Sequence, residues 1–180
     1  GGPVYGSTGE PARLAAVSYV QNGVLDAIQA EDDVVLYVES DLVWDAATLL
    51  RLVSQVREAP ELIILSPLVL IPGTEHFYDV WAFRKDAIPF EPHRPYHSGL
   101  VANGLTELDS AGSCLVMRAA IARTVRLTHY WVVELCTRAR TLGYRVWVDR
   151  RERSYHPIRS TVRGPGTLEE FLRTSMFSDH

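Results

Sequence analysis

Two acidic side chains separated by one residue, Glu39 and Asp41, follow a short apolar run in the stretch VVLYVESDLVW. The run is rich in β-branched residues and predicts a strand that is buried on both faces. Carboxylates at the end of a rigid strand can present oxygen atoms to one hard divalent cation, and a cation held in this way can also bind diphosphate oxygens. The alternative is structural, with Asp41 capping a turn and Glu39 contacting solvent.

The composition of the chain is typical of a globular protein and argues against a nucleic-acid-binding or membrane-spanning protein. With 180 residues, of which 47% are hydrophobic and 22% charged, the sequence predicts one soluble globular domain over residues 1–180, in the cytoplasm or at a membrane face. The formal net charge of -4 offers no broad electropositive surface and argues against nucleic-acid partners. No apolar run reaches the roughly 20 residues of a membrane-spanning helix, so no transmembrane segment is predicted. Cys114 and Cys136 lack metal-type spacing, which favours buried reduced thiols over a disulfide.

Alternating helix and strand patterns from residue 13 to residue 117 predict an α/β fold with a largely parallel sheet. Asp45 is expected to cap the second helix, which ends at Pro60. In such sheets ligands bind outside the carboxyl ends of the strands, where Glu39 and Asp41 lie. The first helix is expected to cover the sheet with an apolar face made by Val17, Val20, Val24 and Ile28.

The rest of the chain contains further elements and one long irregular segment. One or two strands, interrupted at Pro67, are predicted for LIILSPLVLI, and another strand is predicted for SCLVMR. A short helix is predicted for AAIARTV. A further helix is predicted for VVELCTRARTLG; it stops at Gly143 and precedes a strand at residues 144–148. Residues 72–106 lack periodicity, but their aromatic content argues against disorder. Residues 1–12 predict a loop or truncated edge, and TLEEFLRTSMF predicts a helix in the tail, residues 157–180.

Four segments, in the expected order over residues 13–157, resemble the GT-A glycosyltransferases. VLYVESDLVWDAATLLRLV resembles their Asp-X-Asp segment, with Glu39 in place of the first Asp. ARLAAVSYVQN, with Arg13 near its start, is similar to the helix before that strand. ELDSAGSCLVMRAAI resembles the acceptor-side segment, and VELCTRARTLGYRVWVD resembles the acidic helix, glycine turn and strand that follow. His156, in SYHP, stands where many members carry a third metal ligand.

The resemblance implies a GT-A sandwich that moves a sugar from a nucleoside-diphosphate donor, such as a GDP- or UDP-sugar, to a glycan or other hydroxyl acceptor. It implies Mn²⁺ or Mg²⁺, bound directly by Asp41, through water by Glu39, and by a ring nitrogen of His156. Arg13, Ser40 and Asp41 are then expected to contact the donor.

Two departures from the family pattern refine this expectation. The family's first strand, which holds the nucleotide base, should precede Arg13, so the resemblance implies an N-terminally incomplete enzyme. Trp131 and Val132 replace the Glu-Asp pair that supplies the general base of many inverting members. FYDVWAF and ELDSAGSCLVMR are closer to the fungal mannan-polymerase and capsule-associated mannosyltransferases, which favours retention and a nucleotide-mannose donor.

Within this resemblance Asp109 is the acid expected nearest the sugar, and Glu134 is the second candidate. The structural alternatives are that Asp109 forms a turn before Gly112 and that Glu134 is a solvated helix acid.

Residues 72–106 are expected to form the acceptor wall. Tyr78 and Trp81 would lie against the apolar face of a sugar ring, while Asp79 and Arg84 would bond its hydroxyls. The alternative is that these aromatic side chains pack the loop onto the core.

Two other functions stay open. A sugar-nucleotide nucleotidyltransferase also uses an α/β sheet and metal-bound phosphates, but the chain has no Gly-rich basic phosphate loop. A non-catalytic glycan-binding domain on a degenerate transferase scaffold would explain Glu39 and the missing Glu-Asp pair.

Overall fold

The computed structural model describes residues 10–101, 104–128 and 131–157. Residues 1–9 of the loop predicted at residues 1–12, and the predicted terminal helix at residues 167–177, lie outside these ranges, while the helix that follows the loop already begins at Pro11. In chain order the described residues form α1 (Pro11–Asp26), β1 (Val34–Val38), α2 (Ala46–Glu58), β2 (Ile64–Leu70), β3 (Arg84–Lys85), β4 (Ile88–Pro89), β5 (Leu105–Leu108), β6 (Cys114–Arg118), α3 (Ala119–Thr124), α4 (Trp131–Thr141) and β7 (Val146–Tyr155).

The central sheet has five strands in the order β1-β6-β2-β7-β5, and β3 and β4 form a separate two-stranded sheet. Among the described strands of the central sheet, β2 and β7 pair in parallel and the other three pairings are antiparallel. The fold is mixed α/β, and the prediction of a largely parallel sheet is wrong. Two neighbouring parallel strands require a crossover connection, which is usually a helix. The described residues between β2 and β6 contain no helix. β6 therefore returns antiparallel and lies between β1 and β2.

β1 is an edge strand rather than a central one. Among the described residues it pairs with β6 alone, and Leu36 is 41% exposed. The prediction that β1 is buried on both faces is therefore wrong. The strand that matches that description is β2, which is buried along its whole length and has Pro67 at a shift in its register with β7.

The predicted cap of α2 is confirmed, whereas the predicted apolar face of α1 is wrong at Val20 and Val24 and right at Ile28, which packs against the core. The Asp45 carboxylate accepts a hydrogen bond from the Thr48 backbone N–H at 3.1 Å. On α1, Val20 and Val24 are exposed while Leu25 is buried, and the helix packs against α3 and α4. The spacing of apolar residues identifies a stripe on a helix, but it does not show whether another element covers that stripe.

Residues 72–101, which we call the aromatic segment, are held by a small aromatic core of their own. The ring centroids of Phe77 and Phe83 lie 4.9 Å apart in an edge-to-face arrangement, and Phe90 and Tyr96 are buried around them. This order agrees with the prediction from aromatic content. Elsewhere in the core, Cys114 and Cys136 are buried and unpaired, as predicted, and burial raises the pKa of each thiol to about 12. In the described ranges no helix is both long and apolar enough to cross a membrane.

Candidate functional site

The turn after β1, which carries the predicted acids, reaches the carboxyl end of β7. β1, β2 and β7 run in the same direction, so Glu39 and His156, which follow β1 and β7, lie at the same end of the sheet. After the acids the chain turns back, and Val43 exchanges two backbone hydrogen bonds with Tyr155, at 2.7 and 2.8 Å. This pairing fixes the turn against the end of β7. We call Glu39, Ser40, Asp41, Tyr78 and His156 the acid edge.

One contact in the acid edge joins two of the predicted metal ligands. His156 Nε2 lies 3.1 Å from Asp41 Oδ2, and the two side chains are 12% and 43% exposed. The Asp41 carboxylate therefore remains accessible from solvent while the imidazole is held beneath it. The other ring nitrogen of His156, Nδ1, is buried without a hydrogen-bond partner among the described residues.

Tyr78 lies at the centre of the acid edge. Its ring stacks on His156 with a centroid distance of 3.7 Å and an interplanar angle of 7°, which fixes the orientation of the imidazole. The pKa of the Tyr78 phenol is raised, first because the ring is buried and then because the carboxylates of Asp79, Glu39 and Asp41 are close. The charge of Arg13 opposes this rise, so Arg13 also lies within electrostatic reach. The structure thus brings the predicted acceptor residue Tyr78 into contact with the predicted metal ligand His156.

The Asp41 and His156 pair fits one part of a divalent metal site. Two neighbouring ligands of an octahedral ion, each bonded at about 2.1 Å, lie about 3 Å apart, which matches the observed distance between Oδ2 and Nε2. Across the described ranges, however, no three His, Cys, Asp or Glu side chains are grouped so that they could hold a metal ion. Glu39 shares the turn with Asp41 but does not complete such a group. Ser40, between them, is exposed.

A buried network supports the acid edge from below. Asp79, which is 8% exposed, accepts hydrogen bonds from Ser113 Oγ at 2.7 Å and from the Ala82 N–H at 3.2 Å. The Ser113 carbonyl in turn accepts the Glu39 backbone N–H at 2.9 Å. Burial raises the pKa of Asp79, while the bonds from Ser113 and Ala82 oppose that rise. Asp79 therefore positions the residue that anchors Glu39.

Ser113 is the functional residue that sequence reasoning missed. Its φ of 57° is unusual for a residue with a side chain, and this geometry turns the chain from Gly112 into β6. A Cβ atom at Gly112 would lie 2.6 Å from Asp79 Oδ2, so the turn packs directly on the buried carboxylate. The only available signal in the sequence was the Gly-Ser pair immediately before a predicted strand.

Trp81 and Arg84, also predicted to contact the acceptor, join a different part of the molecule. Trp81 packs against the core, and its carbonyl accepts a hydrogen bond from Arg84 Nη2 at 3.3 Å. The backbone of Arg84 pairs with the segment after β5, where its carbonyl accepts the Asp109 N–H at 2.8 Å. These contacts tie Trp81 and Arg84 to Asp109 rather than to the acid edge.

Asp109 lies away from the acid edge. It follows β5, which pairs antiparallel with β7 so that Leu108 lies opposite Val146 at the start of β7, whereas His156 follows the other end of that strand. One carboxylate oxygen accepts the Ala87 N–H at 2.6 Å, and the other lies 2.6 Å from Arg140 Nη1. The structure therefore does not bring Asp109 together with the predicted metal ligands.

Glu134 is engaged at the start of α4. Its carboxylate accepts hydrogen bonds from the backbone N–H and the hydroxyl of Thr128, both at 2.7 Å, and pairs with Arg138. An acid near a helix N-terminus that binds backbone donors stabilises that terminus. The observed contacts of Glu134 are those of a structural residue.

Comparison with known proteins does not assign the chain to a family. The chain matches no protein-family model and no curated protein. The function is therefore argued from the geometry of the acid edge.

Proposed function

We propose that the acid edge binds the diphosphate of a nucleotide sugar through a divalent cation, and that the chain belongs to a metal-dependent glycosyltransferase. The observation that carries this proposal is the 3.1 Å distance between Asp41 Oδ2 and His156 Nε2, where the turn after β1 reaches the end of β7. Carboxylate and imidazole together suit Mn²⁺ better than Mg²⁺, which prefers oxygen ligands alone. An ion bound there would stabilise the charge of the departing nucleoside diphosphate.

The residues of the acid edge have distinct roles in this proposal. Asp41 supplies the accessible charge, since its carboxylate is 43% exposed. Tyr78 holds the His156 ring by stacking, and Asp79 holds Ser113, whose carbonyl fixes the backbone at Glu39. This packed support keeps the two ligand atoms in place before a ligand arrives, which reduces the ordering that binding requires.

The proposed donor is a nucleotide-mannose, and the proposed stereochemical outcome is retention. An inverting enzyme needs a carboxylate that deprotonates the acceptor hydroxyl. Glu134 is held by Thr128 and Arg138, and Asp109 is held by Arg140, so neither is poised as that base. These contacts support the retaining alternative over the inverting one.

The same contacts also support a second candidate function, a non-catalytic glycan-binding domain. Both predicted catalytic carboxylates have structural partners, as a degenerate active site would have. A domain of this kind would bind glycan without a divalent ion and would not turn over a donor.

Calorimetric titration separates the two candidates. We expect GDP-mannose to bind the chain in the presence of Mn²⁺ and not in EDTA, with GDP and UDP-sugars as comparison ligands. Asp41→Asn should weaken binding at least about tenfold while leaving the unfolding transition unchanged. The matched control is Asp86→Asn, because Asp86 is an exposed acid in the β3-β4 turn whose partner is Lys85.

Undiminished binding by Asp41→Asn would remove the assignment of the acid edge. Product analysis then tests the reaction: release of the nucleoside diphosphate supports a glycosyltransferase, whereas release of pyrophosphate identifies a nucleotidyltransferase. Glycan binding in EDTA without donor turnover would favour the non-catalytic domain.

A further inference from the structure

Trp44 is an exposed aromatic side chain on a rigid stretch of backbone beside the acid edge. It is 47% exposed, and its neighbour Val43 is 56% exposed. On the N-terminal side the backbone is fixed, because Val43 exchanges two hydrogen bonds with Tyr155. On the C-terminal side Asp45 caps α2 through the Thr48 N–H. An indole held on both sides but open to solvent is a preorganised contact surface.

The position of Trp44 relative to the acid edge follows from this pairing. Adjacent Cα atoms are 3.8 Å apart and paired antiparallel residues about 5 Å apart, so the Cα atoms of Trp44 and His156 are at most about 13 Å apart. This upper limit on the Cα separation places Trp44 and the acid edge within reach of one short oligosaccharide. One ring could therefore lie on the indole while the other reaches the Asp41 carboxylate.

The carboxylates around Trp44 disfavour an anionic ligand and can accept hydrogen bonds from a ligand that carries hydroxyl donors. Asp41 and Asp45 flank Trp44 in sequence; within the described part of the chain Asp41 lies beside His156, and Asp45 accepts the Thr48 N–H. A carboxylate can accept several hydrogen bonds, so lone pairs remain for hydroxyl donors. An anionic group would be repelled here, whereas a sugar combines hydroxyl donors with an apolar ring face that suits an indole.

We propose that Trp44 is a sugar-binding platform, on which a neutral glycan stacks one ring while its hydroxyls reach the acid edge. The identification of this glycan as the acceptor rests on the proposed function. The binding of the glycan to Trp44 does not depend on that function. Binding at Trp44 involves no divalent ion.

Binding of neutral disaccharides in EDTA tests the proposal. The probes are α-mannobiose, maltose and cellobiose, followed by calorimetry and by tryptophan fluorescence. We expect at least one to bind the wild-type chain, Trp44→Ala to weaken that binding at least about tenfold, and Trp44→Phe to retain most of it because a flat aromatic face remains. The matched control is Tyr144→Ala, because Tyr144 is an exposed aromatic residue just before β7, at the opposite end of that strand from His156.

The contrary outcomes are equally specific. If no disaccharide binds the wild-type chain, or if Trp44→Ala binds as well as wild type, the platform is overturned. Binding to anionic lipid vesicles that Trp44→Ala abolishes, with no disaccharide binding, would assign the surface to a membrane instead. Because these titrations contain neither Mn²⁺ nor nucleotide, their failure is distinct from a failure of the nucleotide site.

Discussion

The aromatic segment and the acid edge are neighbours that use their side chains in opposite ways. In the aromatic segment Phe77, Phe83 and Phe90 are fully buried against one another. In the acid edge Asp41 is accessible, and the groups that hold it, Tyr78 and His156, stack beneath it. The first region contributes chiefly to stability and the second chiefly to binding, so substitutions in the two should separate these properties.

The largest loss of stability is expected from Phe77→Ala. Phe77 is 0% exposed and contacts the rings of Phe83, Phe90 and Tyr96. Removing it deletes apolar contacts and leaves a cavity, which should lower the free energy of unfolding by about 3–5 kcal/mol. Chemical denaturation measures this change.

Ile88→Ala is the control for Phe77→Ala, since Ile88 lies in the same segment but is 57% exposed. Its effect should stay within about 0.5 kcal/mol. A loss below about 1 kcal/mol for Phe77→Ala would show that the aromatic core does not stabilise the segment.

Gly112→Ala should affect both regions because Gly112 lies between them. The added Cβ would be 2.5 Å from Ala82 Cβ and 2.6 Å from Asp79 Oδ2. Relieving this overlap must move the backbone or the buried carboxylate, and overpacking of this kind lowers stability by about 1–3 kcal/mol. Since the adjacent Ser113 anchors Glu39, nucleotide binding should weaken as well, which calorimetry alongside denaturation would measure.

Gly23→Ala provides the opposite case. Gly23 lies within α1, and a Cβ there meets nothing within 4 Å. Replacing a helical glycine by alanine should raise stability by up to about 1 kcal/mol and leave binding unchanged. If Gly112→Ala lowered neither stability nor binding, the conclusion that the turn packs directly on Asp79 would be contradicted.

The sequence predicted local elements well because local rules determine them. The cap at Asp45, the stop at Gly143 with its φ of 86°, and the short strand β6 each follow from a few neighbouring residues. The order of the strands does not follow from neighbouring residues. A long segment without a helix separates β2 from β6 in the described residues, and tertiary packing places β6 between β1 and β2.

The site shows the same division between local and long-range information. The pairing of Asp41 with His156 joins residues far apart in the chain, and only the resemblance to a family suggested it. The predicted roles of Asp109 and Glu134 rested on that resemblance alone, and their observed partners, Arg140, Thr128 and Arg138, leave those roles as predictions. The role of Ser113 was not predicted because it depends on a backbone carbonyl. Every residue type has such a carbonyl, so the sequence does not mark the one that bonds to a residue far away in the chain.

Asp45→Ala, expected to lower stability less than Phe77→Ala or Gly112→Ala, sharpens the comparison within the acidic turn itself. Asp45 lies only four residues after Asp41, but its carboxylate caps α2. Losing the cap should lower the free energy of unfolding by about 1 kcal/mol, and Asp45→Ser should restore most of it because a serine hydroxyl also accepts the Thr48 N–H. Nucleotide binding in Mn²⁺ should stay near the wild-type value, in contrast to Asp41→Asn. Equal loss of binding in both variants would mean that the turn acts through its total negative charge, whereas a loss confined to Asp41→Asn would place recognition at the carboxylate beside His156.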